Sequence, residues 1–188
     1  MHNEIIIGGF GGQGILFLGK VLATAGMLEG YHVSWFPSYG PEMRGGTANC
    51  TVIISDQEIG ATISDHPHIV VAMNEPSLFR FAPSLKEGGL LLINSSLVEK
   101  EYQKEGIEIA KIPANQLAGK VVNNPKTLNM VVLGALIGYR PILPLSQVHR
   151  ALEECLAGKE GLIEKNNQAL ETGWQYACQG GVTHVSQR

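Results

Sequence analysis

Residues 8–14, GGFGGQG, could bind an anion through backbone groups alone. Gly9, Gly11 and Gly14 match the pattern G-x-G-x-x-G between a β-branched run and an apolar segment that predicts a helix. Consecutive glycines leave N–H groups uncovered, and a helix start adds partial positive charge, so a phosphate fits such a loop. The same glycines would also let a helix pack closely on a sheet or on another subunit. Both interpretations remain open on the pattern alone.

A dinucleotide is disfavoured as the ligand of this loop. NAD binding calls for an acidic residue at the end of the second strand, where the carboxylate binds the ribose hydroxyls. The second predicted strand here, YHVSWF at 31–36, runs into PSY, and the first acidic residue after it is Glu42.

The segment FPSYGPEMRGGT, residues 36–47, combines two prolines and three glycines with Tyr39, Glu42, Met43 and Arg44. This composition excludes a helix and an interior strand. The segment follows the second strand, and ligands of open α/β sheets gather beyond the carboxyl ends of strands, so we expect it beside the glycine loop. A rigid surface crossover is the simpler interpretation. Because Tyr, Met and Arg are enriched in interfaces, we predict a functional or interface loop.

No residue pattern predicts a catalytic group or a metal ligand in this chain. The sequence contains no G-x-S-x-G, Walker A or H-E-x-x-H motif, and no G-D-G followed by a distant N-N pair. Its three cysteines, Cys50, Cys155 and Cys178, form no CxxC, so we expect neither an iron–sulfur cluster nor a zinc knuckle built by this chain alone. His66 and His68 are interpreted as loop histidines.

Composition predicts one compact domain. The chain has 188 residues, of which 44% are hydrophobic and 16% charged, and a formal net charge of −3. This balance gives no electrostatic case for binding nucleic acid or an anionic membrane surface. The N-terminus MHNEIIIGG has no basic region followed by a long apolar core, so we expect no signal peptide and a cytoplasmic location.

Hydrophobic patterning alternates between strands and helices, which predicts an α/β fold. The expected class is a Rossmann-like three-layer sandwich whose mostly parallel sheet carries a β-hairpin, formed by 47–55 and 58–63. Asn74 and Asn124 are predicted helix caps, and Gly30 and Gly158 are predicted helix ends. The other predicted strands are 4–7, 31–36, 68–74, 90–96 and 107–113, and the predicted helices are 15–30, 75–89, 123–138, 145–158 and 162–177.

Three segments, in order, carry a family resemblance: GFGGQGILFLGKVLATAGMLEG, VSWFPSYGPEMRGGTANCTVIIS and LNMVVLGALIG. Together they resemble the gamma subunit of the 2-oxoacid:ferredoxin oxidoreductases, most of all the 2-oxoglutarate (KorC-type) members. The resemblance runs from about residue 4 to residue 177. It implies that 1–188 is a single gamma-type domain of the pyruvate/ketoisovalerate oxidoreductases. SYGPEMRGG beside a GGQG loop is its most specific feature.

The resemblance implies an enzyme component that has no catalytic centre of its own. Enzymes of this family oxidatively decarboxylate a 2-oxoacid with coenzyme A, giving an acyl-CoA, carbon dioxide and reduced ferredoxin. Thiamine diphosphate and the iron–sulfur clusters belong chiefly to beta and delta partners, while alpha helps to build the active site. The alternatives are a subunit of an indolepyruvate or branched-chain oxidoreductase, and a stand-alone nucleotide-binding module.

Two sets of candidate site residues follow from the resemblance, and they overlap at Arg44. Candidates for shaping the active site or binding coenzyme A are Gly9, Gly11, Gly12, Gln13, Gly14 and Arg44. Candidates for a subunit interface are Ser38, Tyr39, Gly40, Pro41, Glu42, Met43, Arg44, Gly45 and Gly46. Of these two roles for Glu42 and Arg44, contact with a neighbouring subunit is favoured over contact with a ligand.

Overall fold

The computed structural model describes residues 1–39, 47–180 and 183–184, with only the backbone for Tyr39, Thr183 and His184. One seven-stranded sheet has the order β2-β3-β1-β4-β5-β6-β7. β1, β2, β4, β5 and β6 run in one direction, while β3 and β7 are antiparallel to their neighbours. The strands are β1 His2–Phe10, β2 His32–Tyr39, β3 Thr47–Ser55, β4 Ile69–Ala72, β5 Leu90–Asn94, β6 Glu108–Ile112 and β7 Thr183–His184.

Helices cover both faces of the sheet, unequally. α1, α4, α5 and α6 contribute to the apolar core on one face, while α2 packs on the other face with the segment that follows β5. The predicted three-layer α/β class with a mostly parallel sheet is therefore confirmed. The helices are α1 Ile15–Leu28, α2 Glu75–Phe81, α3 Ala114–Gln116 continuing as a π-helical turn over Leu117–Val121, α4 Leu128–Tyr139, α5 Leu145–Cys155 and α6 Ile163–Gln179. None of the helices in these described ranges is long and apolar enough to cross a membrane.

The two predicted asparagine caps are confirmed by their local contacts, whereas the predicted helices 75–89 and 145–158 end earlier, at Phe81 and Cys155. The Asn74 side chain accepts a hydrogen bond from Ser77 N at 2.9 Å at the start of α2. Asn124 accepts one from Lys126 N at 3.2 Å, where a 3₁₀ turn leads into α4. These bonds satisfy backbone N–H groups that have no partner within the helix.

The hairpin has different partners from those predicted. β3 pairs antiparallel with β2 on one side and with β1 on the other, while residues 58–63 form no strand and are mostly exposed. Residues 51–55 of β3 are buried without alternation, which requires neighbours on both edges and cover on both faces. A short segment rich in polar and small residues could not supply that burial, so the prediction for 58–63 was wrong.

β2 also extends beyond its predicted end, through Pro37 to Tyr39. Proline has no N–H to donate, so it is tolerated in a strand mainly at the edge of a sheet. β2 is that edge strand. Part of the segment 36–47 is therefore strand.

The backbones of α4 and α6 are in direct contact where the two helices cross. A Cβ atom added at Gly134 of α4 would overlap the carbonyl oxygen of Leu170, and one at Gly173 of α6 would overlap that of Val131. Gly138 continues the contact, since a Cβ there would lie 2.6 Å from Ala177 Cβ. Because every residue from 129 to 137 in α4 is buried, this crossing leaves little room for a side chain.

A polar cluster closes the amino-terminal edge of the sheet, defined by His2, Glu4, Ser64, His68 and Lys86. Glu4 Oε2 accepts hydrogen bonds from Ser64 Oγ at 2.8 Å and Lys86 Nζ at 3.2 Å, and His68 Nδ1 accepts one from Glu4 N at 3.2 Å. Burial alone would raise the pKa of Glu4, but hydrogen bonds from His2, Ser64 and Lys86 outweigh it and lower that pKa. Burial, with Lys86 nearby, lowers the pKa of His68. His68 is thus held neutral, and its contact with Glu4 is a hydrogen bond and not an ion pair.

Gly173→Ala should destabilise the fold, because the added methyl group would force α4 and α6 apart. We expect the free energy of unfolding to fall by about 1–3 kcal/mol, the usual cost of overpacking. Urea denaturation measures this change. Gly161→Ala is the control, since a Cβ there meets no atom within 4 Å. Equal stability of the two variants would contradict the close crossing.

Stability should also decline in mild acid because of His68. The unfolded chain binds a proton near the ordinary histidine pKa of 6.5, while the folded chain resists it, so the stabilisation is complete above that pH and is lost as the pH falls below it. The lowered pKa of Glu4 adds a second loss below its ordinary value of 4.5. Urea unfolding at several pH values should show a smaller decline between pH ~7 and ~5 for His68→Asn than for the parent. His66→Asn, at an exposed position, is the control, and an unchanged decline in His68→Asn would refute the assignment.

Candidate functional site

The connections that follow β1 and β4 leave on opposite faces of the sheet, so the carboxyl edge between these two parallel strands is a topological switch point. α1 follows β1 onto one face, and α2 follows β4 onto the other. β1 and β4 are parallel neighbours, with Gly8 opposite Ala72. Switch points of this kind are where open α/β sheets bind ligands. The glycine loop leaves β1 at this point.

The glycine loop is a tight turn closed by its own glutamine. Gln13 N donates to Phe10 O at 3.2 Å, and Gln13 Oε1 accepts a hydrogen bond from Phe10 N at 2.6 Å. Gly12 has φ +96° and Gly14 has φ +73°, backbone conformations that side chains with a Cβ rarely adopt. Gln13 therefore holds the shape of the loop by bonding backbone, while Gly12 and Gly14 make the turn possible.

Three of the glycines allow close packing, and one faces open space. A Cβ at Gly8 would lie 2.8 Å from the Phe81 ring, and one at Gly9 would lie 2.6 Å from both Gln13 Oε1 and Ile15 Cδ1. A Cβ at Gly14 would overlap the Asn129 side chain. By contrast, a Cβ at Gly12 would meet no atom within 4 Å. The packing interpretation thus applies to Gly8, Gly9 and Gly14, and Gly12 is the position open to a ligand or another chain.

The start of α1 retains donors that could face an anion. Gly14 is the N-cap residue, and no side chain of the described residues caps this helix. No acidic residue lies in the first turn. The Gly14 carbonyl accepts hydrogen bonds from Leu18 N at 2.9 Å and from Asn129 Nδ2 at 3.3 Å. The first N–H groups and their partial positive charge are consistent with anion binding at this end.

Asn129 is a positioning residue that sequence patterns did not single out. It lies in the first turn of α4, is only 5% exposed, and ties α4 to the N-cap of α1 through the Gly14 carbonyl. Its Oδ1 atom is buried and has no hydrogen-bond partner among the described residues. The available signal was one polar residue within the apolar run LNMVVLGALIG at 128–138.

Asn74, just after β4, and Asn94, the last residue of β5, hold the loops that follow these strands. Asn94 Oδ1 accepts hydrogen bonds from Ser96 N and Ala114 N, both at 3.2 Å, and Asn94 Nδ2 donates to Asn115 Oδ1 at 2.9 Å. Asn74 caps α2 through its oxygen, as described above. These contacts fix the loops that border the switch point, and they supply no acid, base or nucleophile.

The segment 36–47 begins at the same edge of the sheet, but one strand further from the glycine loop than expected. Ser38 pairs with Asn49, which pairs with Gly8, so β3 separates the end of β2 from β1 by two strand spacings, about 10 Å. This inserted antiparallel strand also differs from a dinucleotide fold, where the second strand lies beside the first. Tyr39 pairs with Ala48. Gly40, Pro41, Glu42, Met43, Arg44, Gly45 and Gly46 lie outside the described residues, so their positions stay predictions.

The cysteines do not fit an iron–sulfur cluster. They lie on β3, at the end of α5 and on α6. Burial raises the pKa of the Cys50 thiol to about 12, although a contact with Trp35 opposes the shift. Cluster ligation requires thiolates converging on one point. Within the described ranges no three His, Cys, Asp or Glu side chains are placed to hold a metal ion.

Comparison with known proteins places this fold and loop in a family. Residues 4–176 match the family model described as pyruvate ferredoxin/flavodoxin oxidoreductase. The ketoisovalerate oxidoreductase subunit VorA of Methanothermobacter thermautotrophicus is 38% identical over 175 residues, covering 93% of this chain and 36% of VorA. The 2-oxoglutarate synthase subunit KorC of Methanothermobacter marburgensis is 34% identical over 186 residues, covering 96% of this chain and 99% of KorC. This chain thus spans about a third of VorA and nearly the whole of KorC.

A solved structure agrees with these relatives. The gamma subunit of keto/oxoacid ferredoxin oxidoreductase from Geobacter sulfurreducens PCA superposes with a TM-score of 0.82 at 28% identity, covering 95% of this chain and 99% of that chain. The resemblance to gamma subunits is confirmed. The identities to VorA and KorC do not separate the ketoisovalerate type from the 2-oxoglutarate type. The chain belongs to the pyruvate ferredoxin/flavodoxin oxidoreductase family.

Proposed function

We propose that this chain is the gamma subunit of a 2-oxoacid:ferredoxin oxidoreductase. In the assembled enzyme it contributes to the oxidative decarboxylation of a 2-oxoacid with coenzyme A, which yields an acyl-CoA and carbon dioxide and passes the electrons to ferredoxin. The observation that carries the proposal is the match to KorC, a subunit of nearly the same length as this chain. The alternative of a stand-alone nucleotide-binding module has no comparable support.

In this proposal the redox chemistry belongs to the partners. Thiamine diphosphate supplies the carbanion chemistry and iron–sulfur clusters carry the electrons, on the beta and delta subunits, and alpha completes the active site. The arrangement of this chain's cysteines supports that division. The complex would act in the cytoplasm.

The substrate we favour is 2-oxoglutarate, because KorC matches along its whole length. A branched-chain 2-oxoacid is the second candidate, supported by the 38% identity to VorA. The pocket that distinguishes these acids would lie mostly on the partner subunits.

The segment Ser38–Gly46 would serve mainly to dock this chain on the alpha subunit. Ser38 lies at the edge of the sheet where the glycine loop also emerges, and Ser38 is exposed. Tyr39, Met43 and Arg44 are residue types enriched in interfaces. Contacts there would shape the entrance through which substrate or coenzyme A reaches the active site.

A second role concerns Gly9, Gly11, Gly12, Gln13 and Gly14. The uncapped start of α1 and the open position at Gly12 support binding of a coenzyme A phosphate by backbone N–H groups. Arg44 would then neutralise charge on coenzyme A or on the 2-oxoacid.

Purification of the native complex tests the function itself. A tagged copy of this chain should co-purify with alpha and beta subunits, and the complex should reduce ferredoxin when 2-oxoglutarate and coenzyme A are both supplied. Pyruvate and 2-oxoisovalerate, assayed in parallel, should give slower reduction. Full activity of a complex that lacks this chain, or tight binding of NAD or a flavin by the isolated chain, would contradict the proposal.

Titration of the complex with coenzyme A tests the phosphate role. Gly12→Val, which fills the open space at the loop, and Arg44→Ala, which removes a charge-assisted hydrogen bond, should each raise the Kd for coenzyme A about 10-fold or more. Gly158→Val is the matched control, since Gly158 also has positive φ and open surroundings but lies after α5. An affinity unchanged in Gly12→Val and Arg44→Ala would remove the phosphate role and leave the docking role standing.

A further inference from the structure

The starts of α1 and α4 meet at one point beside the glycine loop. Asn129, the second residue of α4, donates to the carbonyl of Gly14, the N-cap residue of α1, at 3.3 Å. A Cβ at Gly14 would overlap Asn129 Nδ2, so the two starts are in direct contact. Each helix carries partial positive charge at its first turn, and here the two charges add.

No described side chain neutralises either helix start. The first turns of α1 and α4 contain no acidic residue, and neither N-cap residue, Gly14 nor Thr127, forms a side-chain cap. Asn124 caps the 3₁₀ turn ahead of α4 through its uncharged amide. The segments that supply the two starts, 5–28 and 109–152, contain no Asp or Glu, although the chain as a whole carries a formal charge of −3. The junction of the two helices therefore suits an anion.

Lys126 adds a full positive charge next to this junction. It lies in the 3₁₀ turn that leads into α4, three residues before Asn129, which is roughly one helical turn or about 5 Å along the axis. Lys126 is exposed, and within the described ranges it takes part in no ion pair. A lysine at a helix start opposes the helix dipole, so its charge is unfavourable there unless an anion offsets it. Lys126 thus breaks a local rule at the place where a ligand would compensate for it.

The side chain of Asn129 narrows the kind of anion. Asn129 is 5% exposed, and its Oδ1 atom, on the same amide that bonds Gly14, is buried without a hydrogen-bond partner among the described residues. A buried acceptor without a donor is costly, so the site is complete only when a donor reaches Oδ1. A fully ionised phosphate offers no donor. A phosphate ester with a hydroxyl or amide N–H beside its phosphate offers both the negative charge and the donor.

We infer that Lys126 and Asn129 determine the specificity of a phosphate-ester site at the joined starts of α1 and α4. Lys126 pairs with the phosphate, and Asn129 Oδ1 accepts a hydrogen bond from the hydroxyl or amide group next to it. The inference rests on the proposed function, in which the ester is coenzyme A, a molecule that carries phosphate, hydroxyl and amide groups. It adds the start of α4 to the contacts proposed for the glycine loop.

Binding of coenzyme A and of its fragments to the assembled complex tests the inference. Lys126→Gln should raise the Kd for coenzyme A about 10-fold, the effect of losing one charge-assisted contact. Pantetheine, the part of coenzyme A without phosphate, should bind the parent and Lys126→Gln equally. Asn129→Asp, whose carboxylate would face the phosphate, should also weaken coenzyme A binding, and the exposed Lys126→Gln carries the test if Asn129→Asp fails to fold. Lys20→Gln, at an exposed lysine of α1 beyond its first turn, is the matched control and should bind coenzyme A as the parent does.

The outcomes separate this inference from the function on which it rests. Weaker binding of coenzyme A by Lys126→Gln, with pantetheine unaffected, supports the site. An unchanged Kd for coenzyme A in Lys126→Gln, or an equal loss for both ligands, in a complex that still reduces ferredoxin would overturn the site and leave the function intact. Displacement of coenzyme A by an equal concentration of inorganic phosphate would show a site for free phosphate and would also overturn it. A parent complex that neither binds coenzyme A nor reduces ferredoxin would overturn both.

Discussion

The contact between α4 and α6 is the constraint on which the carboxyl edge depends. Gly134 and Gly173 let the two backbones touch, and this fixes the depth at which α4 lies against the sheet. Asn129 in the first turn of α4 then reaches the Gly14 carbonyl at the N-cap of α1. The position of the glycine loop thus depends on the crossing of α4 and α6 and on the hydrogen bond from Asn129 to the Gly14 carbonyl. A substitution that displaces α4 or α6 would therefore move the glycine loop, even though the substituted residue makes no contact with the loop.

The two edges of the sheet differ in chemistry. The amino-terminal edge carries a cluster of charged and titratable side chains around Glu4, which satisfy one another and contribute to stability. The carboxyl edge offers backbone donors at the start of α1, open space at Gly12 and exposed aromatic rings on β1 and β2. An edge equipped in this way would suit a subunit that shapes and covers a site, in keeping with the proposed gamma-subunit role.

Sequence patterns predicted the strands and helices themselves better than they predicted which strands pair with each other. The buried strands, the helix caps at Asn74 and Asn124 and the glycine turn all follow from local chemistry, which the sequence displays directly. The pairing of β3 between β1 and β2 is a long-range choice, decided by which strands can cover both of its edges, and the local turn residues Asp56 and Gln57 pointed to a different partner. No sequence pattern points to Asn129, because its role depends on a contact with a residue 115 positions away in the chain. The place of Arg44 rests on motif resemblance and stays a prediction.

The central claim is that this chain contacts its partners at the carboxyl edge of the sheet. Backbone hydrogen exchange is the most direct test, measured on the free chain and on the assembled complex. Assembly should slow exchange in the glycine loop, in the last residues of β2 and in the first residues of β3. Exchange in the α4–α6 crossing and around Glu4 at the opposite edge should stay as it is in the free chain. Slower exchange confined to the amino-terminal edge or to α5 and α6, with the glycine loop and β2 unchanged, would place the contact with the partners elsewhere on the chain.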